Sequence, residues 1–272
     1  MKRVVVFLMI SGLTSMFGQQ QTIVAQNEFK PSLYVLAIGI SDYDNPKLRL
    51  QFPAKDASDF SQAMMRQMGL MYENVVTKVL TDRLATTDNI RDGLQWLQIE
   101  TTSRDIAMLY IAGRGINNNT GDFFFLPVNA DINNKEATCI SHAEIKQTIS
   151  SVTGKLLVFV EASHSGNVLG RTGLINRAVN ELSGTNEPVI FTSSTGSQVS
   201  LEASEWNNGA FTKALIEGLA GKADLLGRKM ITIKSLDFYI ANRVKELTDG
   251  KQAPTTIIPR SIPDFPIAIV PD

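Results

Sequence analysis

The chain has 272 residues, 43% of them hydrophobic, and 26 Lys plus Arg against 27 Asp plus Glu for a net charge of −1, an ordinary globular composition that can bury a sizeable core. So even a balance offers no electrostatic case for nucleic acid. One cysteine, Cys139, and two histidines, His142 and His164, exclude an internal disulfide and a cysteine-built zinc site and leave no histidine-rich metal site, so no metal or cofactor is expected.

In chain order, Lys2 and Arg3 precede the apolar run Val4 to Ile10, then small residues Ser11, Gly12, Ser15 and Gly18, then Gln19 to Gln21. This order predicts a signal peptide over about residues 1–25 and an exported product, periplasmic or extracellular. The run is short for a membrane span. A buried N-terminal strand and a retained anchor are the competing readings. The folded domain is expected over 30–272.

Leu33 to Ile40 is a continuous apolar run and reads as a fully buried strand. Pro53 to Met68 carries Ala57, Phe60, Met64 and Met68 at helical spacing and closes at Gly69. Val75 to Leu80 is a second strand. Thr87 is expected to cap a helix with Ile90, Leu94 and Leu97 on one face. Ile106 to Ala112 is a third strand. Ser141 and Glu144 form a capping box ahead of Ile145 and Ile149. Leu156 to Val160 and Val189 to Thr192 are strands four and five, with a long loop, Ser165 to Pro188, between them. Helices follow near Ala210 to Leu219 and Lys234 to Leu247, and Ile267 to Val270 is taken as a sixth strand. Continuous apolar strands alternating with amphipathic helices predict an α/β domain: a mainly parallel six-stranded sheet with helices on both faces.

In such sheets, sites collect beyond the carboxyl ends of the strands. Two exits stand out. Strand three runs into Ala112-Gly113-Arg114-Gly115, and strand four into Glu161-Ala162-Ser163-His164-Ser165-Gly166. Each alone reads as a glycine-rich turn.

Together the two exits resemble the caspase-type peptidase family, its metacaspase-like members above all, where one strand ends in Gly-His-Gly and the next in Asp-x-Cys-His-Ser-Gly. The resemblance extends through Tyr34 to Tyr43, Lys55-Asp56-Ala57, Leu126-Pro127 with Asp131, Ser200 and Glu202 ahead of Gly209-Ala210-Phe211-Thr212, and Gln252-Ala253-Pro254. It implies a caspase-haemoglobinase-like fold. It implies a histidine base at position 114 and a cysteine nucleophile at position 163, and this chain has neither. Arg114 stays protonated and has no acceptor. Ser163 is a weak nucleophile without an adjacent base. His164 neighbours Ser163, but the family keeps a histidine there beside a working cysteine, so a structural role is expected. His142 is expected as a solvated first-turn residue and Cys139 as a semi-buried one.

The resemblance further implies that Asp56 and Glu161 line a substrate pocket for a basic side chain, held by charge-assisted hydrogen bonds. Two alternatives stay open: Arg114 folds inward and fills the cleft by pairing with Glu161, or Asp56 caps its own helix and Glu161 is incidental. The function expected is that of a caspase-like domain without activity, a binding or regulatory module for a peptide or protein partner, in particular a basic segment or an active relative. The alternatives are weak endopeptidase activity through Ser163 and a purely structural role.

Overall fold

The computed structural model describes residues 29–118, 120–164, 187–194 and 200–271, and for Ser163 and His164 the backbone alone. The expected signal peptide and nearly all of the expected loop from Ser165 lie outside the described residues.

The chain runs β1 (Leu33–Gly39), α1 (Pro53–Met65), β2 (Val75–Thr81), α2 (Thr87–Glu100), β3 (Ile106–Asn117), β4 (Phe123–Phe125), α3 (Lys135–Thr138), β5 (Ile140–Ser141), α4 (His142–Ser151), β6 (Lys155–His164) and β7 (Val189–Thr192). It continues through β8 (Glu202–Ala203), β9 (Asn208–Gly209), α5 (Ala210–Glu217), β10 (Met230–Thr232), α6 (Ile233–Leu247), β11 (Thr255–Ile257) and β12 (Pro266–Ile269).

The main sheet has the order β11-β7-β6-β3-β1-β2, with β4 and β5 attached beside β3. The five strands from β7 to β2 are parallel; β11 closes the far edge antiparallel to β7. Side chains of β3 alternate between two cores, as a period of two requires. Met108, Tyr110 and Ala112 pack with α1, α5 and α6, whereas Ala107, Leu109 and Ile111 pack with α2 and α4. A row of rings crosses the first core: Phe60 stacks on Tyr110 at 4.9 Å, meets Phe159 at 5.1 Å, and Phe159 stacks on Phe191 at 5.0 Å. Each such ring, fully buried, contributes about 1.5–3 kcal/mol.

The expected fold class holds, with local corrections. Strands three and four do not end in turns at Ala112 and Val160; β3 continues to Asn117 and β6 to His164, and they pair with each other as far as Gly115 and His164. Helix α2 is capped by Thr86, whose side chain accepts from the Asn89 N–H, and Thr87 is its first helical residue. The capping box at Ser141 and Glu144 is present as expected. The last apolar stretch is a strand, but it pairs with β10 outside the main sheet, and β11 is the sixth strand instead.

Candidate functional site at the carboxyl ends of the central strands

The continued pairing of β3 and β6 sets Arg114 opposite Ser163 and Gly115 opposite His164. The backbone at this point is held by Tyr43, whose hydroxyl accepts from the Arg114 N–H at 2.7 Å. Gly113, at φ +153°, lies under that phenol, and a Cβ there would come within 2.7 Å of the hydroxyl oxygen. Here glycine is demanded both by the backbone and by the close approach. Burial raises the Tyr43 pKa, with weaker opposing effects from Arg114, so the phenol stays neutral.

The Arg114 side chain does not reach Glu161. Its Nε donates to the Leu48 carbonyl at 3.0 Å and its Nη2 to the Arg49 carbonyl at 3.3 Å. The inward ion pair that would fill the cleft is therefore absent, because the chain after β1 offers two carbonyls along the outward path.

Asp56 and Glu161 meet instead at the start of α5. Asp56, on the first turn of α1, is 1% exposed and Glu161, on β6, is 5% exposed. Asp56 accepts from Asn208 Nδ2 at 2.8 Å and from the Gly209 N–H at 3.2 Å, so it ties another segment rather than capping its own helix. Glu161 accepts from the Phe211 N–H at 3.2 Å, the Thr212 N–H at 3.1 Å and the Thr212 hydroxyl. Tyr110 adds its hydroxyl, 3.5 Å from Glu161 and hydrogen-bonded to Thr212. Helix α5 begins at Gly209, which has no side chain to cap with. Glu161 supplies the missing cap from the sheet and places its carboxyl at the positive end of the helix dipole. Gly209 is needed for this approach, since a Cβ would lie 2.3 Å from Glu161 Oε1.

Burial raises both carboxyl pKa values, and the charge of Asp56 adds to the rise at Glu161, against the lowering effect of the amide and hydroxyl donors. Asp59 and Glu202 reinforce the rise at Asp56.

Glu202 performs the reciprocal service for α1. Its carboxylate accepts from the Gln51 N–H at 2.9 Å and the Phe52 N–H at 3.2 Å, where the helix has no side-chain cap of its own. Gln252, fully buried, receives the Leu201 N–H at 2.7 Å and donates to the Ser193 carbonyl at 2.7 Å. Ser200 bonds the Ser193 hydroxyl. These bonds give Ser200, Glu202 and Gln252 structural work, clamping the segment after β7 over α1 and α5.

Tyr110, Thr212 and Asn208 complete the cluster, and the sequence reading named none of them as site residues. Thr212 stood in the Gly209-to-Thr212 run; Tyr110 was the lone polar handle in an apolar strand. His142 is partly exposed at the first turn of α4, as expected, but its Nε2 is shut from solvent and unpaired. Cys139 is fully buried, and burial raises its thiol pKa. Among the described residues no group of His, Cys, Asp or Glu is arranged to hold a metal ion, and no helix is long and apolar enough to cross a membrane.

A parallel sheet of this order, with its polar groups gathered at the ends of β3 and β6, defines an α/β domain of caspase type. The caspase-domain peptidase family matches residues 33–261, and the chain belongs to that family. Among 153 matching chains of solved structures is a protein of Geobacter sulfurreducens known from a crystal structure. It is 18% identical, covers 84% of this chain and 93% of its own, and superposes with a TM-score of 0.59, a likeness of fold. No curated protein matches the chain.

Proposed function

We propose that this is a caspase domain that binds a peptide or protein partner without hydrolysing it. The observation that carries the reading is Arg114. It stands opposite Ser163 in the register of β3 and β6, where the family resemblance calls for the base opposite the nucleophile. Acyl transfer needs a group that takes the nucleophile's proton, and a guanidinium has no lone pair to do so. Its place is also fixed by the Leu48 and Arg49 carbonyls. Loss of the nucleophile or its base costs on the order of 10⁶ in kcat in other hydrolases. The order of charge and hydropathy in residues 1–25 further supports export, which mass spectrometry of the natively expressed chain tests: an N-terminus between Gln19 and Asn27 agrees, and an intact Met1 on a cytosolic species refutes it.

The test of inactivity is hydrolysis of Arg- and Lys-containing peptides by the purified protein. No turnover is expected, and any trace is expected to survive Ser163→Ala, because backbone donors can stabilise a water-driven reaction without the serine. Robust cleavage abolished by Ser163→Ala overturns the reading.

A further inference from the structure

The two charged features at the carboxyl ends of the central strands face opposite ways. Asp56 and Glu161 are turned inward, 1% and 5% exposed, and their oxygens are taken by Asn208, Gly209, Phe211 and Thr212. Arg114 is partly exposed, and its guanidinium is held by two backbone carbonyls rather than by an acid. Asp42, after β1, and Asp82, after β2, are committed elsewhere. Asp42 pairs with Arg49 Nε at 2.9 Å, and Asp82 accepts from the Ser41 and Asp42 N–H groups at 2.8 and 2.9 Å. Among the described residues no carboxylate forms an ion pair with Arg114, and none takes its Nη1 edge.

This is a cation preorganised and, among the described residues, left without a neutralising acid. Carbonyls on Leu48 and Arg49 fix the plane of the fork without cancelling its charge. The Tyr43 bond to the Arg114 N–H and the β6 pairing fix its root. Such a fork is shaped for a carboxylate, and holding it in place beforehand removes most of the ordering cost of binding. We propose that the exit of β3 is a carboxylate-recognition site in which Arg114 binds the carboxylate of a peptide or protein partner, either a chain terminus or an Asp or Glu side chain. The proposal rests on the reading of the domain as a binding module and reverses the sign of the partner expected from Asp56 and Glu161. A basic segment would meet the exposed guanidinium and no accessible carboxylate of the pair.

The experiment uses the full chain and four fluorescein-labelled hexapeptide pools read by anisotropy. One pool has a free carboxyl terminus. Three are amidated, with fixed central Asp or Glu, fixed central Arg or Lys, or neutral residues only. At least one carboxylate pool is expected to bind about tenfold tighter than the neutral pool, and the pool that does so identifies the source. Arg114→Gln is expected to erase the difference and Arg114→Lys to keep part of it, with thermal melting of both variants close to that of the parent. Preference for the Arg or Lys pool overturns the carboxylate assignment and leaves the binding module standing. Carboxylate binding that survives Arg114→Gln in a folded protein, or no binding of any pool, also overturns it. Cleavage of the pools that depends on Ser163 overturns the non-hydrolytic reading itself.

Discussion

The two ends of α5 handle carboxylates in opposite ways. At the N-terminal end, Glu161 is buried among amide and hydroxyl donors with Asp56 beside it, and burial drives its pKa up. At the C-terminal end, Glu217 receives Arg243 at 2.9 Å, Lys222 at 3.2 Å, Lys213 at 3.5 Å and the Tyr239 hydroxyl at 3.0 Å. Partial burial raises its pKa, but hydrogen bonds from Arg243, Tyr239 and Lys222 outweigh that and bring it to about 2. The helix dipole alone would favour the reverse order, since an anion belongs at the N-terminus. What decides is the partner. Full cations hold a carboxylate ionised at the surface; amide dipoles satisfy one in the core and leave it sensitive to desolvation.

Removing Glu161 tests the buried end and has the largest expected effect. Glu161→Ala leaves the Phe211 and Thr212 N–H groups, and one hydroxyl of the bonded Tyr110–Thr212 pair, buried without an acceptor. Each stranded donor costs about 1–3 kcal/mol. With partial relaxation, a loss of about 3–5 kcal/mol is expected in urea unfolding. Glu161→Gln keeps one acceptor oxygen and is expected to lose less than half of that. An alanine variant as stable as the parent would show that α5 needs no cap from the sheet.

Next in size is the dependence on pH, where the two ends have opposite signs. Asp56 and Glu161 have folded pKa values raised above their unfolded ones. The folded state then binds more protons, so their contribution is full below about pH 4 and is lost as pH rises through the raised values. Glu217 has a folded pKa lowered to about 2, so its contribution is present above the unfolded carboxylate range and is lost as pH falls toward 2. Stability is expected to peak in the mildly acidic range and to fall by on the order of 5 °C in Tm between pH 5 and pH 8. Glu161→Gln should flatten the upper limb and Glu217→Gln the lower one. A profile rising steadily to pH 8 would remove the buried pair as its cause.

Gly209→Ala sharpens the same comparison at smaller cost. The new Cβ would lie 2.3 Å from Glu161 Oε1 and 2.7 Å from its Cδ, while the φ of −66° suits alanine. The penalty is one of overpacking alone, about 1–3 kcal/mol. A double variant, Gly209→Ala with Glu161→Ala, should cost less than the sum, because the clash vanishes with the carboxylate. Strict additivity would place the strain elsewhere.

How far this arrangement could be read from sequence depends on the range of the interactions. The run Leu33 to Ile40 was legible as a strand because both faces of a parallel sheet are buried, so no polar residue interrupts it. The capping box of α4 was legible because Ser141 and Glu144 satisfy each other within one turn. At α2 the sequence pointed to Thr87, but Thr86 is the residue held extended, at φ −75° and ψ 162°, as an N-cap must be. Gly113 and Gly115 looked like a turn because glycine usually marks one, but the Tyr43 phenol and the Phe123 ring press on them where side chains would stand. Asp56 and Glu161 were picked out as a pair from their resemblance to a substrate pocket. Their actual partners, Asn208 and Thr212, sit on the far side of α1 and β6 in sequence, and no local pattern announces that a helix lacking its own cap will borrow one.

The surface end of α5 should show the smallest effects, and the reason is redundancy. Glu217 has four donors, and Lys222 is the most exposed of its cations, with a side chain 59% accessible against 29% for Arg243. An exposed lysine gains little from an ion pair because water screens the charge and ordering the side chain costs entropy. Lys222→Ala is therefore expected to change stability by no more than about 0.5 kcal/mol. Arg243→Ala removes the bond at 2.9 Å and the principal lowering influence on Glu217, and about 1 kcal/mol is expected. The measurement that separates packing from charge is the acid limb of the pH profile. Arg243→Ala should move it upward, toward the unfolded carboxylate range, whereas Lys222→Ala should move it less. If the two variants shift the limb equally, proximity of charge rather than the hydrogen-bonded geometry of Arg243 sets the ionisation of Glu217, and the contrast between the two ends of α5 loses its structural basis.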